Sequence, residues 1–125
     1  LVEVSTGELL DKISILEIKK IKIKNSDKLR FINEEYVLLK EQLDKNITQD
    51  ETIKKLFKTL KEINSKLWKI EDEKRMCEKN SDFRENFIKL SRDVHFLNDK
   101  RANIKLEIND YTGSKIKEIK EYTNY

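Results

Sequence analysis

Seven polar residues interrupt stripes that are otherwise apolar, and their types could do chemistry: Glu17, Asn64, Glu71, Arg75, Asn98, Arg101 and Lys105. At about 100° per residue, Glu17 and Lys20 point along the apolar side of their helix. Asn64, Glu71 and Arg75 continue the apolar line of another helix, and Asn98, Arg101 and Lys105 that of a third. Charged side chains are rarely buried unless paired. Two chemistries fit such a layer. One is a closed ionic and hydrogen-bonded network that fixes which helices pair and in what register. The other is a pocket between helices, in which Arg101, Arg75 and Lys105 clamp a small anion and Glu17 or Glu71 acts as acid or base.

Other chemistry is poorly supported. His95 is the only His, lies between Val94 and Phe96, and reads as a hydrogen-bonded rim residue. It has no second His with which to build a metal site. Glu71-Asp72 and Asn109-Asp110 are neighbours that diverge by about 100° on a helix, so neither pair converges on a metal. Cys77, the single Cys, excludes an internal disulfide and a Cys-based zinc site and reads as apolar filler near a turn. Glycines at 7 and 113 alone make no phosphate-cradling loop. No nucleophile–base pair can be argued. The expectation is no metal and no cofactor.

The elements that position these residues are helices. The 125 residues include two Gly and no Pro, too few turn formers for a β-sandwich or barrel. This length suits one domain over residues 1–125, and folding removes roughly two-thirds of the unfolded chain's surface from water. Ser5-Thr6-Gly7-Glu8 reads as a capping box opening a first helix over about 7–24. Asn25-Ser26-Asp27 separates it from a second, to about 45. Thr48 and Glu51 form another capping-box pattern, opening a third helix to about 79. Asn80-Ser81 breaks the chain, Ser81 caps a fourth helix to about 111, and Gly113 suits the left-handed position that ends it. Val2-Glu3-Val4 alternates like a short strand, and Ile116, Ile119 and Tyr122 recur like a short helix.

The short break between the third and fourth helices predicts an antiparallel hairpin. Residues equidistant from 80–81 then oppose each other, so Asn64 meets the region of Asn98. The expected layer is Glu17, Asn64, Asn98 and Arg101, with Lys20, Glu71 and Lys105 near it. Apolar stripes supply the core: Leu9, Leu10, Ile13, Leu16, Ile21 and Ile23 on the first helix, with Ile15 and Ile18 on its other side. Ile53, Leu56, Phe57, Leu60, Ile63, Leu67 and Trp68 form the third helix's face. On the fourth the face is Phe83, Phe87, Leu90, Val94, Leu97, Ile104 and Ile108. A first helix apolar on two sides is expected to be central.

Three stretches resemble, in combination, an uncharacterised family of small bacterial proteins, a domain of unknown function. They are V-S-T-G-E-L-L-D-K-I-S-I-L-E-I-K at 4–19, L-W-K-I-E-D at 67–72 and N-D-K-R-A-N-I-K-L-E-I-N at 98–109, accompanied by Gly113-Ser114 with Glu118 to Tyr122. The resemblance implies no activity. The residues carrying it include Glu17, Glu71, Asp72, Asn98 and Arg101. A looser likeness is to the all-helical chorismate mutases, which bind a dianion with Arg and Lys between helices. Here the first helix has no Arg, so that family stands only as the enzyme-class rival.

Charge narrows the partners. Net charge is +3, from 27 basic and 24 acidic residues that are interleaved along the chain. Nucleic-acid binders concentrate basic residues on one face. The densest basic stretch, Lys19 to Lys24, reads as a solvated helix end favoured by the dipole. Neither nucleic acid nor membrane is expected as a partner, since aliphatic runs such as Val37-Leu38-Leu39 are far too short to span a bilayer. Residues 1–8 do not read as a secretory signal, and a cytoplasmic location is the expectation. The fold expected is all-α: a long antiparallel helical hairpin packed with two shorter helices. The function expected is a non-catalytic helical interaction or scaffold protein that self-associates or binds another protein through an uncovered apolar side, such as Ile15 and Ile18 or Phe31 and Leu38. The alternative is a binder of, or enzyme acting on, a small anionic metabolite.

Overall fold

The computed structural model describes residues 4–113. Four helices follow one another: α1 (Thr6–Lys22), α2 (Ser26–Asn46), α3 (Glu51–Lys79) and α4 (Glu85–Thr112). The architecture is the all-α bundle that composition demands. The strand-like alternation at 2–4 lies largely outside the described residues, where only Val4 is placed, in no helix; the periodicity at 116–122 lies wholly outside them.

Helix boundaries follow from local hydrogen bonding, and two differ from expectation. Ser5 caps α1 as expected, its Oγ accepting from the Glu8 N–H at 3.1 Å. Asn25 does the same for α2, accepting from the Lys28 N–H at 3.0 Å. The cap of α3 is Asp50 rather than Thr48: its Oδ1 accepts from the Ile53 N–H at 2.9 Å. A carboxylate there also suits the helix dipole. The hydrogen bond from the Tyr111 hydroxyl, then that from the Ile53 N–H, hold the Asp50 carboxyl below its ordinary pKa.

Ser81 is the second difference. It does not cap α4 but closes α3, in the left-handed region at φ 52°. The Ser81 N–H donates to the Glu78 carbonyl at 3.1 Å, and the Asp82 N–H to the Cys77 carbonyl at 2.8 Å. This is the paired bonding of a Schellman motif, with Ser in the place that usually falls to Gly. α4 therefore starts later, at Glu85, behind Arg84, whose side chain makes no cap bond. Gly113 ends α4 at φ 66°, as its type predicts.

α1 packs against each of the other three helices, and α3 packs against α4. Nine of the seventeen residues of α1 are buried, against two of twenty-one in α2, which makes α1 the axle and α2 a peripheral helix. α3 and α4, with 29 and 28 residues, form an antiparallel hairpin about 43 Å long. At its closed end the Asn86 amide meets the Cys77 Sγ at 3.9 Å; at its open end the Tyr111 hydroxyl donates to Asp50. That is the register obtained by counting outward from 80–81. Leu9, Leu10 and Ile13 of α1 join Leu43, Ile53, Leu60 and Ile108 in a core fed by all four helices. Ile21 instead reaches solvent at 72% exposure, Phe83 lies half-exposed in the turn before α4, and Ile18 is buried rather than uncovered.

One contact needs a glycine for steric reasons. The Gly7 N–H donates to the Asn109 Oδ1 at 2.7 Å. A Cβ on Gly7 would stand 2.4 Å from the Lys105 carbonyl oxygen, so only Gly lets the first turn of α1 approach α4 this closely.

The Ser81 geometry makes a prediction. A left-handed conformation strains Ser and not Gly, so Ser81→Gly is expected to raise stability by about 0.5–1 kcal/mol. Urea unfolding of the two proteins measures this, and a lowered midpoint for the variant would contradict the assignment.

Candidate functional site

The buried polar centre is built on Asp11, which has no exposed surface. Asp11 and Ser14, nearly one turn apart on α1, face α3 and α4. Arg101 reaches across from α4 with two parallel bonds, Nε to Oδ1 at 2.9 Å and Nη2 to Oδ2 at 2.5 Å. This fork-to-carboxylate geometry is the strongest ion-pair arrangement available to side chains. From α3, Asn64 spends both amide hydrogens here, on Asp11 Oδ1 at 2.8 Å and on the Ser14 Oγ at 2.7 Å. The Ser14 hydroxyl in turn donates to the Asp11 carbonyl at 2.7 Å. Lys105 Nζ lies 3.7 Å from Asp11 and 2.8 Å from Glu8. Among the described residues, two acids, Asp11 and Glu8, thus face two bases, Arg101 and Lys105.

The seven expected residues fall in three places. Asn64, Arg101 and Lys105 belong to the Asp11 centre. Glu17 does not: it anchors a separate clasp between α1, α2 and α3. Its Oε1 accepts from Lys61 at 2.8 Å and its Oε2 from the Tyr36 hydroxyl at 3.1 Å. Lys20, expected near the layer, lies over the Tyr36 ring at 4.0 Å instead. Glu71, Arg75 and Asn98 are exposed rather than members of a mid-bundle layer. They are nonetheless brought together with Asn64 and Arg101, because all five line one open groove of about 300 Å³.

That groove runs between α1, α3 and α4. Ile15, Ile18 and Leu67 give it apolar walls, and Trp68 stands half-buried along it rather than completing the core. Asp72 on its rim is 3.8 Å from Arg75, with both side chains more than half exposed; such a pair contributes little to stability. Of the three cations expected to clamp an anion, Arg101 and Arg75 line the groove and Lys105 does not, being 4% exposed and ion-paired with Glu8. Of the two proposed acid/base residues, only Glu71 faces the groove.

Several residues of the centre escaped the sequence reading: Asp11, Ser14, Glu8, Gly7 and Asn109. A signal for the first two was present. Asp11 lies four residues before Ile15 and seven before Ile18, so it shares the second apolar side of α1. Asn109 is fully buried and, among the described residues, its Nδ2 has no hydrogen-bond partner. Among the described residues no group of three or more His, Cys, Asp or Glu is placed to hold a metal ion, and no helix is long and apolar enough to cross a membrane.

An α1 axle tied by one buried carboxylate to a two-helix hairpin, with a fourth helix clasped outside, defines a small all-helical protein with an internal charge centre and an open groove. The chain belongs to the Family of unknown function (DUF6165), which it matches over residues 1–125. No curated protein and no solved structure matches it.

The clasp around Glu17 has a pH signature. Burial first, and the adjacent Glu17 carboxylate second, push the Tyr36 hydroxyl above its ordinary pKa. The folded state therefore holds this proton more tightly than the unfolded state. The resulting stability is fully present below pH 10.0 and is lost as pH rises above that value. The stability difference between the unmodified protein and Tyr36→Phe is expected to shrink above pH 10. Unfolding midpoints at a series of alkaline pH values measure it, and a constant difference would contradict this reading.

Proposed function

We propose that this chain is a non-catalytic helical interaction module that pairs with a second copy of itself through the outer face of α2, in a cytoplasmic setting. The observation that carries the reading is an apolar strip on the side of α2 turned away from the core. Phe31, Val37 and Leu38 are 62%, 54% and 61% exposed, on the same helix whose Ile32 and Leu43 are buried against α1. Exposed apolar strips bordered by polar residues characterise interaction sites.

A second copy fits this strip by pattern and charge. Phe31 and Leu38 lie seven residues apart on one face of α2, with Asp27, Glu34, Glu41 and Lys45 beside them at spacings of three and four. A two-fold axis through the middle of α2 sets two such helices antiparallel. A pairing that sets Phe31 of one copy against Leu38 of the other also brings Lys28 near Glu41. An isologous contact of this kind closes on itself as a dimer.

Sedimentation equilibrium tests this. The unmodified protein is expected to show a concentration-dependent dimer, and Leu38→Lys or Phe31→Lys to remain monomeric. Both sites are exposed, so folding stability should change by no more than about 0.5 kcal/mol. A monomer at every concentration, or a dimer unaffected by either change, would overturn the proposal.

A further inference from the structure

We infer that α2 is a strap over the bundle. It undocks as one unit from a body of α1, α3 and α4 that stays folded, and so bares an apolar strip on α1. The inference concerns the inner face of α2 and is independent of the self-association proposed above for its outer face.

The body is held by polar bonds that α2 does not share. Arg101 and Asn64 bind Asp11 across three helices, Lys105 and Lys61 bind Glu8 and Glu17, and the Gly7 N–H donates to Asn109. None of these groups belongs to α2. Helical hydrogen bonding is also interrupted on both sides of α2, at 23–25 and 47–50. The helix is therefore able to leave without unwinding α1 or α3.

α2 is attached by much less. Among the helices, it lies alongside α1 alone. Two of its 21 residues are buried, Ile32 and Leu43. With the partly buried Tyr36 and Leu39 they make one stripe, at spacings of four, three and four. Among the described residues, one side-chain hydrogen bond joins α2 to another helix, from the Tyr36 hydroxyl to Glu17, and no ion pair does. Lys20 adds a contact over the same Tyr36 ring at 4.0 Å. Opening free energies within one folded protein run from near zero for weakly attached segments to the global value for the core. A lone helix of this length is marginal in water, so α2 loses its structure as a unit once undocked. The strip it bares is Leu9, Ile13 and Leu16. They lie opposite Asp11 on α1 at about 100° per residue, one turn before the Lys20 that touches Tyr36, and each is buried.

Hydrogen exchange of the full chain, resolved by residue and followed at a series of low denaturant concentrations, tests this. Amides inside α2 are expected to exchange at least about tenfold faster than the slowest amides of α3 and α4. Their dependence on denaturant is expected to be shallower, because undocking one helix exposes less surface than unfolding the chain. Two variants weaken the body: Arg101→Met, and the milder Ile63→Val, which lies outside the cluster that α2 joins. Each is expected to speed exchange in α3 and α4 several-fold and to leave α2 unchanged, since the body is intact while α2 is open. The same pattern is expected in Leu38→Lys, which separates docking of the inner face from any contact of the outer one. Amides of α2 that share the rate and denaturant slope of α3 and α4 would overturn the inference. So would an α2 that speeds up in step with them in both body variants.

Discussion

The fold hangs on one carboxylate. Asp11 is wholly removed from water on the central helix and is reached by Arg101 from α4 and Asn64 from α3. A buried charge is costly unless it is paired and its lone pairs are filled. Arg101 and Asn64 fill them here from two different helices, so this one carboxylate couples the placement of α1, α3 and α4. Lys105 and Glu8 extend the same condition to the first turn of α1. There Gly7 allows a contact with the α4 backbone that no side chain would permit. Such a centre selects an arrangement more than it adds stability. Replacing a buried ion pair by well-fitting apolar groups is often neutral, whereas deleting one partner costs about 3–5 kcal/mol.

Much of the architecture was legible in the sequence because its signals are local. Capping residues at Ser5 and Asn25, apolar stripes at helical spacing, and a Gly at 113 mark elements that form where the chain says they should. The hairpin register was legible too, since a short turn leaves little freedom in how two helices face each other. What was not legible depended on tertiary geometry. Ser81 looks like a helix cap, and only the turn it makes shows that it ends α3 in a conformation usually left to Gly. Asn98 lies on an apolar line yet is exposed, because the groove keeps α1 and α3 from covering it.

The site was half legible for a related reason. Interrupted stripes correctly pointed to Asn64, Arg101 and Lys105 as polar residues needing partners. They did not name the acid that pairs with two of them, because Asp11 sits in a motif whose apolar neighbours Ile15 and Ile18 were read as a separate side. Glu17 was grouped with the wrong set: its helix is central, so opposite sides of α1 serve different clusters. The groove and the α2 strip are consequences of the same asymmetry. α1 is covered by three helices but not all the way round, and α2, resting on α1, has a second apolar face with nothing among the described residues against it.

The most direct test of Asp11 as the organising group is a double-mutant cycle with Arg101, using Asp11→Leu, Arg101→Met and the pair, each unfolded in urea. Each single change is expected to cost about 3–5 kcal/mol. The double variant should lose much less than the combined losses, with an interaction energy of about 2–3 kcal/mol. Single losses below about 1 kcal/mol that simply add would place Asp11 and Arg101 among ordinary surface pairs and contradict the account.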